Sequence, residues 1–158
     1  MGWGCLVGAP GKTPEHIAAD LEVMKKLKPQ MIGIGPYVPH RDTPFAGEPA
    51  GSLEQTLMLL SVLRLMFPSV LLPATTALGT IAKNGRELGS CSGDNVVMPN
   101  LSPQYAKDKY MLYNNKLRSG AEAAEGLAML RQSMEAVGYQ IVTDRGDCAG
   151  WTNGEETN

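Results

Sequence analysis

The sequence predicts a parallel α/β protein, built either as half of a (β/α)8 barrel or as an open doubly wound sheet. Three observations carry this reading. Four short apolar runs alternate with helix-patterned stretches, each run leads into a loop or capping sequence, often rich in Gly or Pro, and the runs are continuously apolar rather than alternating. Strands of that kind are buried on both faces, as in a parallel sheet. A complete barrel takes about 250 residues and eight units. This chain, with 158 residues, has about half of each.

Each element has its own signals. Cys5-Leu6-Val7 reads as the first strand and ends in Gly8-Ala9-Pro10-Gly11. Thr13 offers an N-cap oxygen, and Pro14 sits at a first helical position, where its missing N–H costs nothing. Ile17, Leu21, Met24 and Leu27 follow at helical spacing, opposite Glu15, Glu22 and Lys25. Met31-Ile32-Gly33-Ile34 is the second strand, and a Pro/Gly-rich loop runs from Gly35 to Gly51. Ser52 and Gln55 form a capping-box pattern that opens a very apolar helix through Phe67, with Pro68 as its stop. Val70-Leu71-Leu72 is the third strand, leading into Pro73-Ala74-Thr75-Thr76, and the stretch around Asn84-Gly85-Arg86 reads as irregular. Asn95-Val96-Val97-Met98 is the fourth strand. Ser102-Pro103 starts a helix carrying Tyr105, Tyr110 and Tyr113. Ser119 and Glu122 open a last helix that reaches Val137, with Gly138 as an αL stop.

Composition excludes several classes of function. Fourteen Lys+Arg against sixteen Asp+Glu leave a net charge of -2, which argues against a nucleic-acid partner. No apolar run approaches the roughly 18–20 residues of a membrane span, and no basic stretch precedes an apolar one at the start. Cys5, Cys91 and Cys148 are odd in number, far apart and outside the usual zinc spacings. A reduced, cytoplasmic protein without a disulfide framework is expected. His16 and His40 cannot by themselves build a multi-histidine metal site, and no metal site is assigned.

The chemistry-bearing candidates lie at strand ends. Gly11-Lys12-Thr13 opens a helix, but a phosphate loop needs a glycine five positions before Gly11, where Leu6 stands. A tight turn with a capped helix is the better reading. Thr75-Thr76 follows a strand, so its hydroxyls and amides fall at the carboxyl end of the sheet, where ligands bind in both candidate architectures. A threonine that merely caps a turn explains the pair equally well. Met98-Pro99-Asn100 stands in the same place after the fourth strand, where a Met more often belongs to the core. Tyr110 and Tyr113 share a helix face, and His40 reads as a loop hydrogen-bonder. No nucleophile–base–acid set can be assembled, and no catalytic residue is assigned.

Four motifs together point further. Val7-Gly8-Ala9-Pro10-Gly11-Lys12-Thr13, Met31-Ile32-Gly33-Ile34-Gly35-Pro36-Tyr37-Val38-Pro39-His40, Pro73-Ala74-Thr75-Thr76-Ala77-Leu78-Gly79 and Asn95-Val96-Val97-Met98-Pro99-Asn100 resemble the C-terminal half of the HydE family. These are radical S-adenosylmethionine (SAM) maturases of [FeFe]-hydrogenase, relatives of biotin synthase. With Asp42-Thr43-Pro44 and Gly47-Glu48-Pro49, the resemblance covers roughly residues 4 to 142. It implies a (β/α)8 barrel holding SAM, a [4Fe-4S] cluster and a small-molecule substrate, in a pathway that assembles the dithiomethylamine bridge of the hydrogenase H-cluster. It further implies that Thr75, Thr76, Met98, Tyr110 and Tyr113 line the substrate cavity, and that Leu6, Met31 and Val38 face SAM.

Two departures follow from the same comparison. The family's Cys-x3-Cys-x2-Cys lies after the first barrel strand, and this sequence contains no such triad. Three thiolates on one short loop are needed, so Cys5, Cys91 and Cys148 cannot replace it. The accessory Cys-x7-Cys-x2-Cys of some members reads Arg118, Gly126 and Met129 here. The chain alone is therefore expected to bind no complete cofactor set and to be inactive. Two functional readings stand: part of a HydE-like enzyme, or a catalytically dead remnant. A biotin or methylornithine synthase-like relative is the third. Residues 1–142 form the expected barrel unit and 143–158 a poorly ordered tail. The first and fourth strands should be open edges above an exposed apolar inner face, driving self-association or pairing with a missing N-terminal half. Hydrogenase maturation proteins are the other expected partners.

Overall fold

The computed structural model describes residues 1–99 and 123–149. Strand β1 (Gly2–Val7) leads through a glycine turn into helix α1 (Pro14–Leu27), followed by strand β2 (Met31–Pro36) and helix α2 (Leu53–Met66). Strand β3 is Pro73–Ala74, strand β4 is Val96–Val97, and two short helices, α3 (Thr76–Ile81) and α4 (Gly85–Cys91), lie between them. Helix α5 spans Ala123–Ala136.

The strands are parallel and run in the order β1-β2-β3-β4. Gly2 pairs with Met31 and Val7 with Pro36 in the first ladder, and Pro73 pairs with Val96 and Ala74 with Val97 in the second. A parallel bridge between Met31 and Leu71 joins them: Leu71 N–H donates to Gln30 O and Ile32 N–H to Leu71 O, each at 2.9 Å. Among the described residues β1 and β4 are the outer strands, as the sequence predicts.

The helices begin where the capping signals place them. Thr13 is the N-cap of α1, with Pro14 in its first turn. Ser52 Oγ accepts from Gln55 N–H at 3.3 Å, and Thr56, buried in α2, donates its hydroxyl to Ser52 O. At the far end of α2, Arg64 Nη1 donates to the carbonyls of Phe67, Pro68 and Val70, and its Nε donates to Gly93 O. One guanidinium thus satisfies the exposed carbonyls beyond the helix and ties them to the turn before β4. Gly138 adopts φ +85 after α5 and lets Tyr139 N–H reach back to Met134 O.

Three expectations need correction. The third strand is Pro73–Ala74 rather than Val70–Leu72, because Val70 and Leu72 turn their side chains into the helix-packed core and only Leu71 bridges to β2. Pro73 has no N–H to donate, which keeps the β2–β3 ladder short. The stretch around Asn84-Gly85-Arg86 is not irregular: Asn84 is the N-cap of α4. Nor is every strand buried on both faces. β1 alternates, with Gly2, Gly4 and Leu6 exposed and Trp3, Cys5 and Val7 turned inward.

That alternation defines the molecule. Val7, Ile32, Ile34 and Leu72 lie under Met24 of α1 and Leu59, Leu60 and Leu63 of α2, with Trp3, Cys5, Ile17 and Leu21 packed around them. The opposite face of β1 and β2 carries Gly2, Gly4, Leu6, Met31, Gly33 and Gly35. The predicted apolar inner face is therefore mostly bare backbone, with Leu6 half exposed.

Above the β1–β2 end, Tyr37 N–H donates to Val7 O and Gly51 N–H to Tyr37 O, both at 2.8 Å. These bonds bring the two ends of the Tyr37–Gly51 loop together on the end of β1. A Cβ on Gly51 would lie 2.1 Å from Val7 O and 2.8 Å from Tyr37 N, both backbone atoms that cannot swing aside. Gly51→Ala is expected to destabilise the chain by about 2 kcal/mol or more, whereas Gly47→Ala, in open space on the same loop, should be near neutral. Urea unfolding of the two variants measures the difference, and equal stabilities would refute the clasp.

Candidate functional site

Because all four strands are parallel, their carboxyl ends share one rim. Register sorts the inner face into layers. Gly35 lies opposite Leu6 on one side, and on the other a Cβ on Gly35 would meet Thr75 Oγ1 at 2.6 Å. Met98 follows β4 at the height of Thr75, one residue past the Ala74–Val97 pair. The uppermost layer is thus Leu6, Gly35, Thr75 and Met98. Below it lie Gly4 and Gly33 beside Pro73 and Val96, and lowest of all Gly2, Met31 and Leu71.

The structure brings most of the sequence-predicted set together. Leu6, Thr75 and Met98 share the upper layer, Thr76 opens α3 beside Thr75, and half-buried Val38 follows Tyr37 just above β2. Met31 is on the same face but at the amino end of β2, four residues and about 13 Å below Gly35. Tyr110 and Tyr113 lie outside the described residues.

Thr75 is the N-cap of α3, yet its hydroxyl makes no capping bond. Its Oγ1 is buried against Gly35 without a hydrogen-bond partner. A buried hydroxyl in that state is costly unless a ligand group supplies the bond. Gly33 has open space above its Cα and Gly4 closely faces the Gly33 carbonyl, so a flat ligand can approach the backbone here. This glycine floor went unremarked in the motif reading. Its signal was Gly2-Trp3-Gly4 and Gly33-Ile34-Gly35, glycines two apart within strands.

Both histidines make local hydrogen bonds. His40 Nδ1 accepts from Asp42 N–H at 3.1 Å within its loop, and His16 Nδ1 accepts from Thr13 N–H at 3.2 Å. Lys12 forms a 2.6 Å ion pair with Asp20. The Cys5 thiol is pushed above its usual value, chiefly by burial, with Lys12 pulling the other way. It is thus a poor thiolate. Cys5, Cys91 and Cys148 are free, and among the described residues no three His, Cys, Asp or Glu side chains are grouped to hold a metal ion. No helix is long and apolar enough to cross a membrane, among the described residues. A groove of about 580 Å³ lined by Arg64, Ser90, Asp94, Asn95 and Tyr139 lies at the other end, beside the amino end of β4, and is separate from the rim.

This geometry is that of a wall of a (β/α)8 barrel with its ligand face at the strand carboxyl ends. Among solved structures, the crystal structure of methylornithine synthase (PylB) matches 90% of this chain with a TM-score of 0.70 and 27% identity, covering 40% of that chain. The particular relatives follow from sequence. The [FeFe] hydrogenase maturase subunit HydE of Thermotoga maritima is 42% identical over 116 residues, which is 73% of this chain and 33% of that protein. The 3-methylornithine synthase of Methanosarcina barkeri is 32% identical over 114 residues, 72% of this chain and 32% of that protein. No family model matches. The chain is a partial homologue of these radical SAM, biotin synthase-like enzymes, and it spans about a third of the length of the curated relatives it matches.

The Gly35–Thr75 contact is directly testable. Gly35→Ala is expected to cost about 1–3 kcal/mol, and about 1 kcal/mol less in a Thr75→Ala background, because the threonine hydroxyl is the atom in the way. A double-mutant cycle read by denaturant unfolding measures the coupling. Simple additivity would remove Thr75 from the inner face.

Proposed function

We propose that this chain forms part of the cavity wall of a HydE-like radical SAM enzyme, acting in [FeFe]-hydrogenase H-cluster maturation by assembly of the dithiomethylamine bridge. The observation that carries the reading is the upper inner layer, Leu6–Gly35–Thr75–Met98, in a chain 42% identical to HydE over 116 residues. In this role Thr75, Thr76 and Met98, joined by Tyr110 and Tyr113, line the substrate cavity, and Leu6, Met31 and Val38 face SAM. The unpartnered Thr75 hydroxyl and the strand-end amides hold a carboxylate or similar anionic group of a small substrate. Leu6 and Met98 flank it and exclude water.

The residues present fit SAM better than they fit a cluster. The glycine floor leaves room for a flat ligand on the backbone, and SAM supplies a carbon radical when it is reductively cleaved. For a [4Fe-4S] cluster the donor set is wrong: Cys5 and Cys148 are half-buried, Cys91 is exposed, and the three are far apart in sequence. We assign the cluster to another part of the complete enzyme, which works in the cytoplasm with hydrogenase maturation proteins. That part also completes the barrel beside β1 and β4.

A methylornithine synthase-like role is the second reading, favoured by the structural match to PylB over 90% of the chain. Chimeras separate the two. Replacing the matching segment of HydE with this chain is expected to preserve H-cluster assembly in a maturation assay, and Thr76→Val or Met98→Lys in the chimera should lower it at least about tenfold. Methylornithine formation by the corresponding synthase chimera, with an inactive HydE chimera, would favour the second reading.

The cysteine argument has its own test. Anaerobic reconstitution of this chain with iron and sulfide is expected to leave well below one cluster per chain. Stoichiometric binding of about four irons would overturn it.

A further inference from the structure

The amino end of β4 carries a buried carboxylate that the rim does not use. Asp94 is 4% exposed, and neither of its carboxylate oxygens has a hydrogen-bond partner. Its N–H donates to Gly89 O at 3.0 Å, which holds the residue in the turn after α4. The side chain reaches back under that helix. A Cβ on Gly89 would lie 2.4 Å from Asp94 Oδ2 and 3.1 Å from Leu78 Cδ1, so the carboxyl group, α4 and the Leu78 side chain of α3 converge on one spot. The two helices are locked to each other, because a Cβ on Gly85 would stand 2.1 Å from Leu78 O. Whatever lifts one lifts both. Helix α3 begins at Thr76 and has Thr75 as its N-cap, so the pair reaches the rim.

The surrounding charges compensate Asp94 only in part. Helix α3 carries none. On α2, the Arg64 guanidinium spends its Nε and Nη1 on the carbonyls of Gly93, Phe67, Pro68 and Val70, and its buried Nη2 makes no hydrogen bond to Asp94 or to any other group among the described residues. Arg86 and Glu87 stand in the first turn of α4 and are half-buried; Lys83 before it, Cys91 at its end, and Arg131 and Glu135 of α5 are exposed, and exposed Tyr139 gives its hydroxyl to Ser90 O. Burial therefore dominates and pushes the Asp94 carboxyl up to about 7, with Arg64 pulling the other way.

We propose that Asp94 is a pH-sensitive latch on the α3–α4 pair. Protonated, the neutral acid stays in its apolar seat under Gly89 and Leu78. Ionised, it is drawn out to water, and the pair opens from β3 and β4, carrying Thr75 and Thr76 away from the rim. The sign follows from the raised value. The acid holds its proton more tightly in the closed state, so closure is complete below the ordinary carboxylate pKa of about 4 and is lost as pH rises through about 7. The latch does not depend on which ligand the rim takes.

Amide hydrogen exchange on the full chain tests it, read as protection factors so that the intrinsic pH dependence of exchange is divided out. Between about pH 5.5 and pH 8.5, protection of residues 76–91 is expected to fall about 30-fold, while α1 and α2 keep theirs. In Asp94→Asn the fall should vanish. Should that variant fail to fold, Asp94→Ala removes the carboxylate and leaves only a small gap under Gly89. An unchanged protection factor in the native chain overturns the latch. So does an equal loss in every helix, or a pH dependence that survives in the variant.

Discussion

Burying one face of the sheet against α1 and α2 is the constraint on which the rest of the structure depends. Strand side chains alternate, so placing Val7, Ile32, Ile34 and Leu72 under Leu60 and Leu63 leaves Gly2, Gly4, Leu6, Gly33 and Gly35 no choice but the other face. A one-residue slip of β2 would put glycines under α2 and expose Ile32 and Ile34, a loss of about 3–6 kcal/mol. The register is therefore strongly held. It also puts Gly35 opposite Thr75, far away in sequence.

The same register makes an open inner face. Where a filled barrel would place branched side chains in layers, β1 and β2 place four glycines. Only the uppermost layer has side chains at both sides of the bare backbone, Leu6 toward one edge and Thr75 with Met98 toward the other. Apolar groups and an unsatisfied hydroxyl thus flank an exposed backbone at the end of the strands where ligands bind. The other end is arranged differently. Arg64 and Asn95 satisfy loop and strand groups there, Asn95 Oδ1 accepting from Leu72 N–H at 2.8 Å, while the Asp94 carboxylate and Arg64 Nη2 are buried without hydrogen-bond partners among the described residues.

Legibility in the sequence followed the range of the interaction. Thr13-Pro14, Ser52…Gln55 and Gly138 act within a few residues of themselves, and the elements they predict begin or end there. Thr75 and Met98 were legible as a pair because both follow strands, and parallel strands end on one side. Met31 begins β2, and an apolar residue there gives no sign in the sequence of its height on the inner face. The stretch around Asn84-Gly85-Arg86, where α4 begins, reads as irregular because α4 and its neighbour α3 are held by contact rather than by capping. Neither Thr75 nor Asn84 makes a side-chain capping bond, and the close approach of Gly85 to the Leu78 carbonyl locks the two together.

By itself, the sequence determined the parallel α/β class, the starts of α1 and α2, and the absence of a clustered cysteine triad. These rest on local capping, on strand-and-helix periodicity and on counting, none of which needs the chain to be folded. Only the tertiary structure decided which face of β1 and β2 is bare, that Thr75 sits on Gly35, and that Asp94 is sealed under Gly89 without a partner. Each of those depends on strand register or helix docking between residues distant along the chain, and that information exists only once the core has closed.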